Sequence, residues 1–192
     1  MQVIPYVDAL VSEPADIVRA IRARRGGTLL NLDRMLLHSP AFAAGWNHHL
    51  GIVRTRLLLD PRLREMVVCA IGHLNGAAYE VHQHAGPFLD AGGTREQLAA
   101  LSDPDLAVRD DARFTDAERL ALRLTIAITR GNTAPADLLS ETRGALGSDQ
   151  LVVELVGLIA TYNMVSRFIT ALDIRPEEPE ITPRPGDPVS VS

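Results

Sequence analysis

Apolar residues recur every three or four positions along most of this chain, which is the spacing of amphipathic helices. No stretch alternates apolar and polar residues for long enough to predict a strand. Ser or Asp followed by Pro, Thr-x-x-Glu/Gln capping boxes and glycines mark where the periodic segments begin and end. The pattern predicts an all-α fold, a compact helical bundle, with helices over residues 12–24, 39–57, 61–74, 77–91, 115–130, 134–145 and 149–172 and one that starts at residue 94.

The length of 192 residues suits a single domain. We expect this domain to span residues 1–174, with residues 1–30 as an N-terminal helical extension. Residues 103–114 read as a surface connection with at most a short helix, and residues 175–192 as a Pro-rich C-terminal arm. The last predicted helix is apolar on nearly every side, so it must be buried centrally or between subunits. We therefore expect a homo-oligomer.

Composition excludes several classes of function. All nineteen basic residues are arginine, so Schiff-base chemistry, pyridoxal phosphate attachment and a P-loop lysine are excluded. The single cysteine, Cys69, excludes an intrachain disulfide and a CxxC redox pair. A net charge of −5 argues against nucleic acid as a partner. Since we find neither a membrane-length apolar run nor a secretory signal, we expect a cytoplasmic protein without a membrane partner.

Two neighbouring predicted helices, 61–74 and 77–91, carry polar residues that can do acid–base chemistry. Glu80 and His84 are spaced i, i+4, which places them on one helix face and predicts that the carboxylate orients the imidazole. A purely structural Glu–His pair is the alternative. Glu65 falls beside Cys69 and Gly72, opposite the predicted core stripe of Leu63, Val67, Ala70 and Leu74. A simply solvated Glu65 is the alternative there.

Arginines supply candidate substrate-binding groups. Asn163 and Arg167 are spaced i, i+4 on the apolar last helix, where a buried guanidinium needs a carboxylate partner. That partner is either a protein carboxylate or, with Arg167 or Arg54 as donor, a substrate carboxylate. Metal ligation has little support, because HExxH is absent. A zinc site from His49, Glu80 and His84 would require the fold to bring them together, so we expect neither metal nor cofactor.

The segment Leu63-Arg64-Glu65, followed by Tyr79, His84 and Ala91-Gly92, resembles the carboxymuconolactone decarboxylase / alkylhydroperoxidase-D-like family. The family signature is an LRE-type helix start, C-x-Y-C-x-x-x-H, and a helix ending in Ala-Gly. Ala77 and Glu80 stand here where the signature has cysteines. The resemblance implies a compact all-α fold that forms trimers or higher rings. It also implies that Glu65 belongs to a proton relay with the histidine.

The function that this resemblance implies is a cofactor-free lyase similar to γ-carboxymuconolactone decarboxylase, acting on a small carboxylated compound of aromatic catabolism. His84, oriented by Glu80 or Glu65, would be the acid, and Tyr79 a donor to the oxyanion; Arg54, Asn163 and Arg167 would bind the substrate. The same acid–base set could also serve isomerisation, hydration or lactone opening. The alternative is a non-catalytic binding or stress-associated protein that kept the fold after losing the thiols.

Overall fold

The computed structural model describes residues 3–177, which contain ten helices and no strand. The predicted all-α class is therefore confirmed, whereas residues 178–192 of the predicted Pro-rich arm lie outside the described residues. The helices are α1 (Ala15–Arg25), α2 (Asn31–Leu36), α3 (Pro40–Thr55), α4 (Pro61–Leu74), α5 (Ala78–Asp90), α6 (Arg95–Ala100), α7 (Pro104–Ala107), α8 (Asp116–Gly131), α9 (Ala136–Leu146) and α10 (Asp149–Ala171).

Helix α4 is the centre of the bundle and packs against α5, α8 and α10. The sequence predicted a single core stripe with Glu65 and Cys69 on the opposite side. That prediction is wrong, because neighbouring helices cover α4 on every side. Every residue from Leu63 to Gly72 is buried except Arg64, which is half-buried. Cys69 is fully buried and Glu65 is only 7% exposed. A carboxylate placed in this position must find a partner inside the protein.

Helices α4 and α5 form a tight antiparallel hairpin. A Cβ atom at Gly72 would lie 2.8 Å from Val81 Cγ2 and 3.3 Å from the Val81 backbone nitrogen, so any other residue at this crossing would force Val81 to shift. The turn itself uses Gly76 at a φ of +65°, a left-handed conformation that glycine adopts without strain. This close approach allows side chains one and two turns away from the crossing to meet across the hairpin.

Helix α5 turns a different face to the core from the one predicted. The expected buried stripe was Val81, Ala85 and Phe88, with Glu80 and His84 along its edge. Instead Glu80 and His84 are buried together with Phe88, while Val81 and Ala85 are only half-buried. The contact with α4 therefore draws both polar side chains into the interior.

Helix α10 packs against α4, α8 and α9, as its apolar surface predicted. An 18-residue window of this 23-residue helix has a mean hydropathy of 1.4, so by length and composition α10 would also suit a membrane span, contrary to the expectation that no apolar run reaches that length. Burial inside the protein accounts for the composition, since 56% of the apolar window is enclosed by other helices. Val153 and Met164 remain exposed on α10, and the expected homo-oligomer stays a prediction.

Of the two short helices, α2 was not predicted, whereas α7 is the short helix that the sequence allowed for within residues 103–114. Helix α2 begins after Leu30, whose backbone N–H donates to the Asp33 carboxylate at 3.1 Å. A cap supplied from inside the helix leaves no Ser, Thr or Pro signal in the sequence. Helix α2 matters for the site because Asp33 is buried, with an exposure of 1%, and holds two arginines in place.

Candidate active site

His84 is held by a carboxylate across the α4–α5 hairpin. Its Nδ1 lies 2.5 Å from Glu65 Oε2, and Arg64 also contacts Glu65, at 3.3 Å. Burial raises the pKa of Glu65. The hydrogen bond and charge of His84, together with Arg64, lower it by more, so the pKa lies below its usual value. Glu65 is therefore ionised at neutral pH and accepts the Nδ1–H of His84.

The other nitrogen of His84 contacts a guanidinium from α3. Arg54 Nη2 lies 2.9 Å from His84 Nε2, so Nε2 is the acceptor and the imidazole is neutral. Burial lowers the pKa of His84, and Arg54 lowers it further, against the raising influence of Glu65. Arg54 also donates from Nε to the Tyr162 hydroxyl at 3.2 Å, and the Tyr162 ring stands edge-on to His84. Glu65, His84, Arg54 and Tyr162 thus form one connected set from four helices.

Glu80 does not pair with His84. The predicted i, i+4 hydrogen bond is wrong, since neither carboxyl oxygen of Glu80 has a hydrogen-bond partner among the described residues. Glu80 is 1% exposed, and burial raises its pKa to about 8, against smaller opposing influences from the Ser166 hydroxyl and Arg54. The Ser166 hydroxyl donates its proton to the Tyr162 carbonyl at 2.5 Å. Glu80 is therefore a carboxylic acid that is largely protonated at neutral pH.

A narrow cavity connects Glu80 and His84 with the surface. Its volume of about 20 Å³ is enough for roughly one water molecule. Three arginines line it: Arg54, and Arg24 and Arg25 from the end of α1. Asp33 pairs with Arg24 at 3.3 Å and with Arg25 at 3.0 Å. With three guanidinium groups and a protonated Glu80, the cavity favours an anionic ligand.

The cavity is lined on one side by Tyr79 and Gln83. The Tyr79 hydroxyl donates to Glu177 at 3.1 Å, and Gln83 Nε2 donates to the same carboxylate at 2.7 Å. Burial and then the Glu177 carboxylate raise the pKa of Tyr79 well above its usual range. Tyr79 is therefore a hydrogen-bond donor. It lines the cavity, but its hydroxyl donates to Glu177 of the C-terminal segment and not to a residue of the acid–base set.

Two predicted substrate-binding residues do not line this cavity. Asn163 is buried and bonds Thr129 and Asn75. Arg167 is exposed and donates to the backbone and side-chain oxygens of Asn163, so the expected buried ion pair is absent from the described residues. Of the three predicted substrate-binding residues, the structure brings only Arg54 to His84.

The residues proposed as an alternative zinc site are not assembled. His49 Nε2 lies 2.9 Å from the Thr161 hydroxyl and does not line the cavity. Within residues 3–177, no three His, Cys, Asp or Glu side chains converge as metal ligands.

Sequence reasoning missed Tyr162, Arg24, Arg25 and Glu177 as members of the site. Tyr162 immediately precedes Asn163 on α10, and adjacent helical residues point about 100° apart, so the two lie on different faces. The face that carries Tyr162 meets α3 and α5, but the periodicity of α10 could not identify it because this helix is apolar on nearly every side.

Cys69 offers no thiol chemistry at this site. Its side chain is fully buried, and burial, followed by the charges of Glu65 and Glu80, raises the pKa of the thiol to about 12. Because only the thiolate is a good nucleophile, we expect no thiol-dependent hydroperoxide turnover. A peroxidase assay with a dithiol reductant should give the same background rate for the wild type and Cys69→Ser. Turnover that Cys69→Ser abolishes would contradict this assignment.

Comparisons with known proteins agree with this architecture. The model of the carboxymuconolactone decarboxylase family matches residues 40–130, which include α3, α4, α5 and most of α8. The uncharacterized protein YnjA of Escherichia coli (strain K12) is 29% identical over 130 residues, covering 68% of this chain and 66% of that protein. The chain thus aligns with just under two thirds of the length of this curated relative.

Solved structures share the fold at low sequence identity. The alkylhydroperoxidase AhpD core of an uncharacterized peroxidase-related protein from Ralstonia eutropha JMP134 superposes with a TM-score of 0.76 at 19% identity, covering 92% of this chain and 93% of the other. A Cys-to-Ala variant of the debrominase Bmp8, in complex with 2,3,4-tribromopyrrole, also gives a TM-score of 0.76, at 16% identity and 92% and 94% coverage.

Proposed function

Because the chain belongs to the carboxymuconolactone decarboxylase / alkylhydroperoxidase-D-like family, we propose that it is an acid–base lyase without thiol chemistry, acting on a small carboxylated lactone or a related carbonyl compound. The observation that carries this proposal is Glu80, an enclosed carboxyl group without a hydrogen-bond partner, with a pKa of about 8, at a cavity that also reaches His84. An environment that keeps a carboxyl group protonated, beside an imidazole that is kept unprotonated, is typical of acid–base sites.

In the proposed reaction, the bond between a ring carbon and the leaving carboxylate breaks, and CO₂ departs. The electron pair of that bond moves through the conjugated system to the carbonyl oxygen and gives a dienolate. Arg54 is the cation placed to stabilise this oxyanion, since it already donates within the site. His84, fixed by Glu65, keeps Arg54 in place through Nε2.

Glu80 then delivers its proton to carbon and becomes a carboxylate. Because burial makes that carboxylate unfavourable, it regains a proton from water, and the cycle closes. The role of acid therefore moves from His84, as expected from the sequence, to Glu80. If the substrate undergoes isomerisation, His84 can act as the base only after Arg54 Nη2 moves from His84 Nε2 to the substrate oxyanion, because Nδ1 is protonated and Nε2 accepts from Arg54.

The non-catalytic alternative has less support. A binding or stress-associated scaffold would show its polar groups exposed or fully paired. Glu80 is neither, although an unpaired buried carboxyl group is costly to retain. The enclosed carboxyl group, the neutral imidazole and Arg54 together favour a chemical role.

The test is turnover of a panel of small carboxylated lactones, followed by CO₂ release and by deuterium incorporation from D₂O. If Glu80 must be protonated to act, kcat should fall as the pH rises through about 8. It should also fall under acidic conditions, where His84 becomes protonated. Release of CO₂ with this profile supports the proposal.

Two other outcomes would overturn the proposal. Deuterium exchange without CO₂ release would replace the lyase by an isomerase, and a rate that is unchanged from pH 6 to 10 would remove Glu80 as the acid. His82→Gln is the matched control, since His82 lies exposed on the same helix as His84. It should leave the rate unchanged.

A further inference from the structure

The C-terminal segment places a carboxylate against the wall of the cavity. Glu177 Oε1 accepts from the Asn31 backbone N–H at 2.8 Å and from the Tyr79 hydroxyl at 3.1 Å, while Oε2 accepts from Gln83 Nε2 at 2.7 Å. The segment is also held two residues earlier, where Asn31 Nδ2 donates to the Arg175 carbonyl at 3.1 Å.

None of the three donors to Glu177 is charged, and the described residues give Glu177 no salt bridge with an arginine. Three converging neutral donors recognise the shape and hydrogen-bonding capacity of a carboxylate. Tyr79 and Gln83 are spaced i, i+4 on α5 and line the same cavity as Glu80 and His84. A carboxylate bound to these donors therefore lies at the wall of the cavity that Glu80 and His84 also line.

The cavity beside this carboxylate is too small for a lactone. A volume of about 20 Å³ holds roughly one water molecule. A ligand must therefore displace something, and Glu177 is the group that already occupies carboxylate-binding donors at the cavity wall. It comes from a segment without helical structure that follows α10.

We propose that Tyr79, Gln83 and the Asn31 backbone N–H form a carboxylate-binding subsite, which Glu177 fills as an intramolecular substitute and which a carboxylate-bearing small molecule occupies once Glu177 leaves. This inference takes one premise from the proposed function, namely that the substrate binds in this cavity. The subsite binds a carboxylate group that the substrate keeps, because neutral donors that hold a leaving carboxylate would oppose loss of CO₂.

Glu177 competes with an external carboxylate for the subsite. The apparent Kd of the external carboxylate is its intrinsic Kd divided by the fraction of molecules in which Glu177 has left the subsite. If Glu177 fills the subsite in about nine molecules out of ten, its removal should lower the Kd of the external carboxylate about tenfold. Trp46, the only tryptophan of the chain, lines the cavity and reports binding through its fluorescence.

The experiment titrates acetate and benzoate into the full chain at constant ionic strength and follows Trp46 fluorescence. Glu177→Ala should bind one or both ligands about tenfold more tightly than the wild type. Tyr79→Phe in the Glu177→Ala background should lose most of that gain, because one donor to the carboxylate is removed. Asp173→Asn is the matched control, since it removes an exposed carboxylate of the same segment and asparagine tolerates the left-handed φ of 50°.

Equal affinities of Glu177→Ala and the wild type would overturn the subsite, as would a gain in affinity that Tyr79→Phe leaves intact. A gain of the same size in Asp173→Asn would overturn it as well, by showing a general charge effect. Thermal unfolding of each variant checks that the chain remains folded. Since binding is measured without turnover, failure of the lyase assay and failure of the subsite are separate results.

Discussion

Glu80→Gln should make the protein slower and more stable at the same time. Glutamine has the shape of the protonated carboxyl group but cannot give a proton to carbon, so kcat should fall by about 10²–10⁴-fold. At neutral pH, folding forces Glu80 to take up a proton that the unfolded chain does not bind, because burial raises its pKa to about 8 from a usual 4.5. At about 1.4 kcal/mol per pH unit, this costs about 3 kcal/mol at pH 7.

The sign of this effect can be followed with pH. Below pH 4.5 Glu80 is protonated in both states and costs nothing through ionisation. As the pH rises from 4.5 to about 8 the unfolded chain ionises first, so the free energy of unfolding of the wild type should fall over this range. In Glu80→Gln this part of the fall should be missing.

Denaturant unfolding of both proteins between pH 4.5 and 8.5 measures the effect. Glu141→Gln is the matched control, because Glu141 is an exposed carboxylate on α9 whose ion pair with Arg123 is also at the surface. It should change the free energy of unfolding by less than about 1 kcal/mol. Identical pH profiles for wild type and Glu80→Gln would show that Glu80 is ionised in the folded protein and cannot be the acid.

The sequence predicted the helices better than the contacts between them. Spacing and capping signals placed α4 at the residues where it is found and α5 within one residue at each end, and the motif carried on them identified Glu65 and His84. The i, i+4 rule then assigned the wrong carboxylate to His84. That rule says which side chains share a face, whereas the close α4–α5 crossing at Gly72 decides that His84 reaches Glu65.

The remaining site residues come from distant parts of the chain. Arg54 comes from α3, Tyr162 from α10 and Glu177 from the segment after α10, and they meet α5 over separations of 30 residues or more. No local periodicity encodes such contacts. Arg167 shows the opposite error, since an arginine on an apolar helix was expected to be buried, but its long side chain lies exposed along its own helix.

Glu65→Gln should weaken the hold of His84 on Arg54 without displacing His84. The amide oxygen can still accept the Nδ1–H, so the tautomer and orientation are kept while the negative charge is lost. Because Glu65 raises the pKa of His84, its removal should lower that pKa further. Because His84 holds Arg54 against the oxyanion and Glu80 is the proposed proton donor, kcat should fall by at most the roughly 10²–10³-fold that loss of an oxyanion donor costs.

The test of this contact combines kinetics with NMR titration of His84. Residues that act as a unit lose their effects non-additively, so Glu65→Gln combined with His84→Asn should be hardly slower than the slower single variant. Glu80→Gln is the discriminating control. Since Glu80 is uncharged in the pH range where His84 titrates, Glu80→Gln should leave the pKa of His84 nearly unchanged, whereas Glu65→Gln lowers it. The reverse result would restore the i, i+4 pair as the working contact and remove Glu65 from the relay.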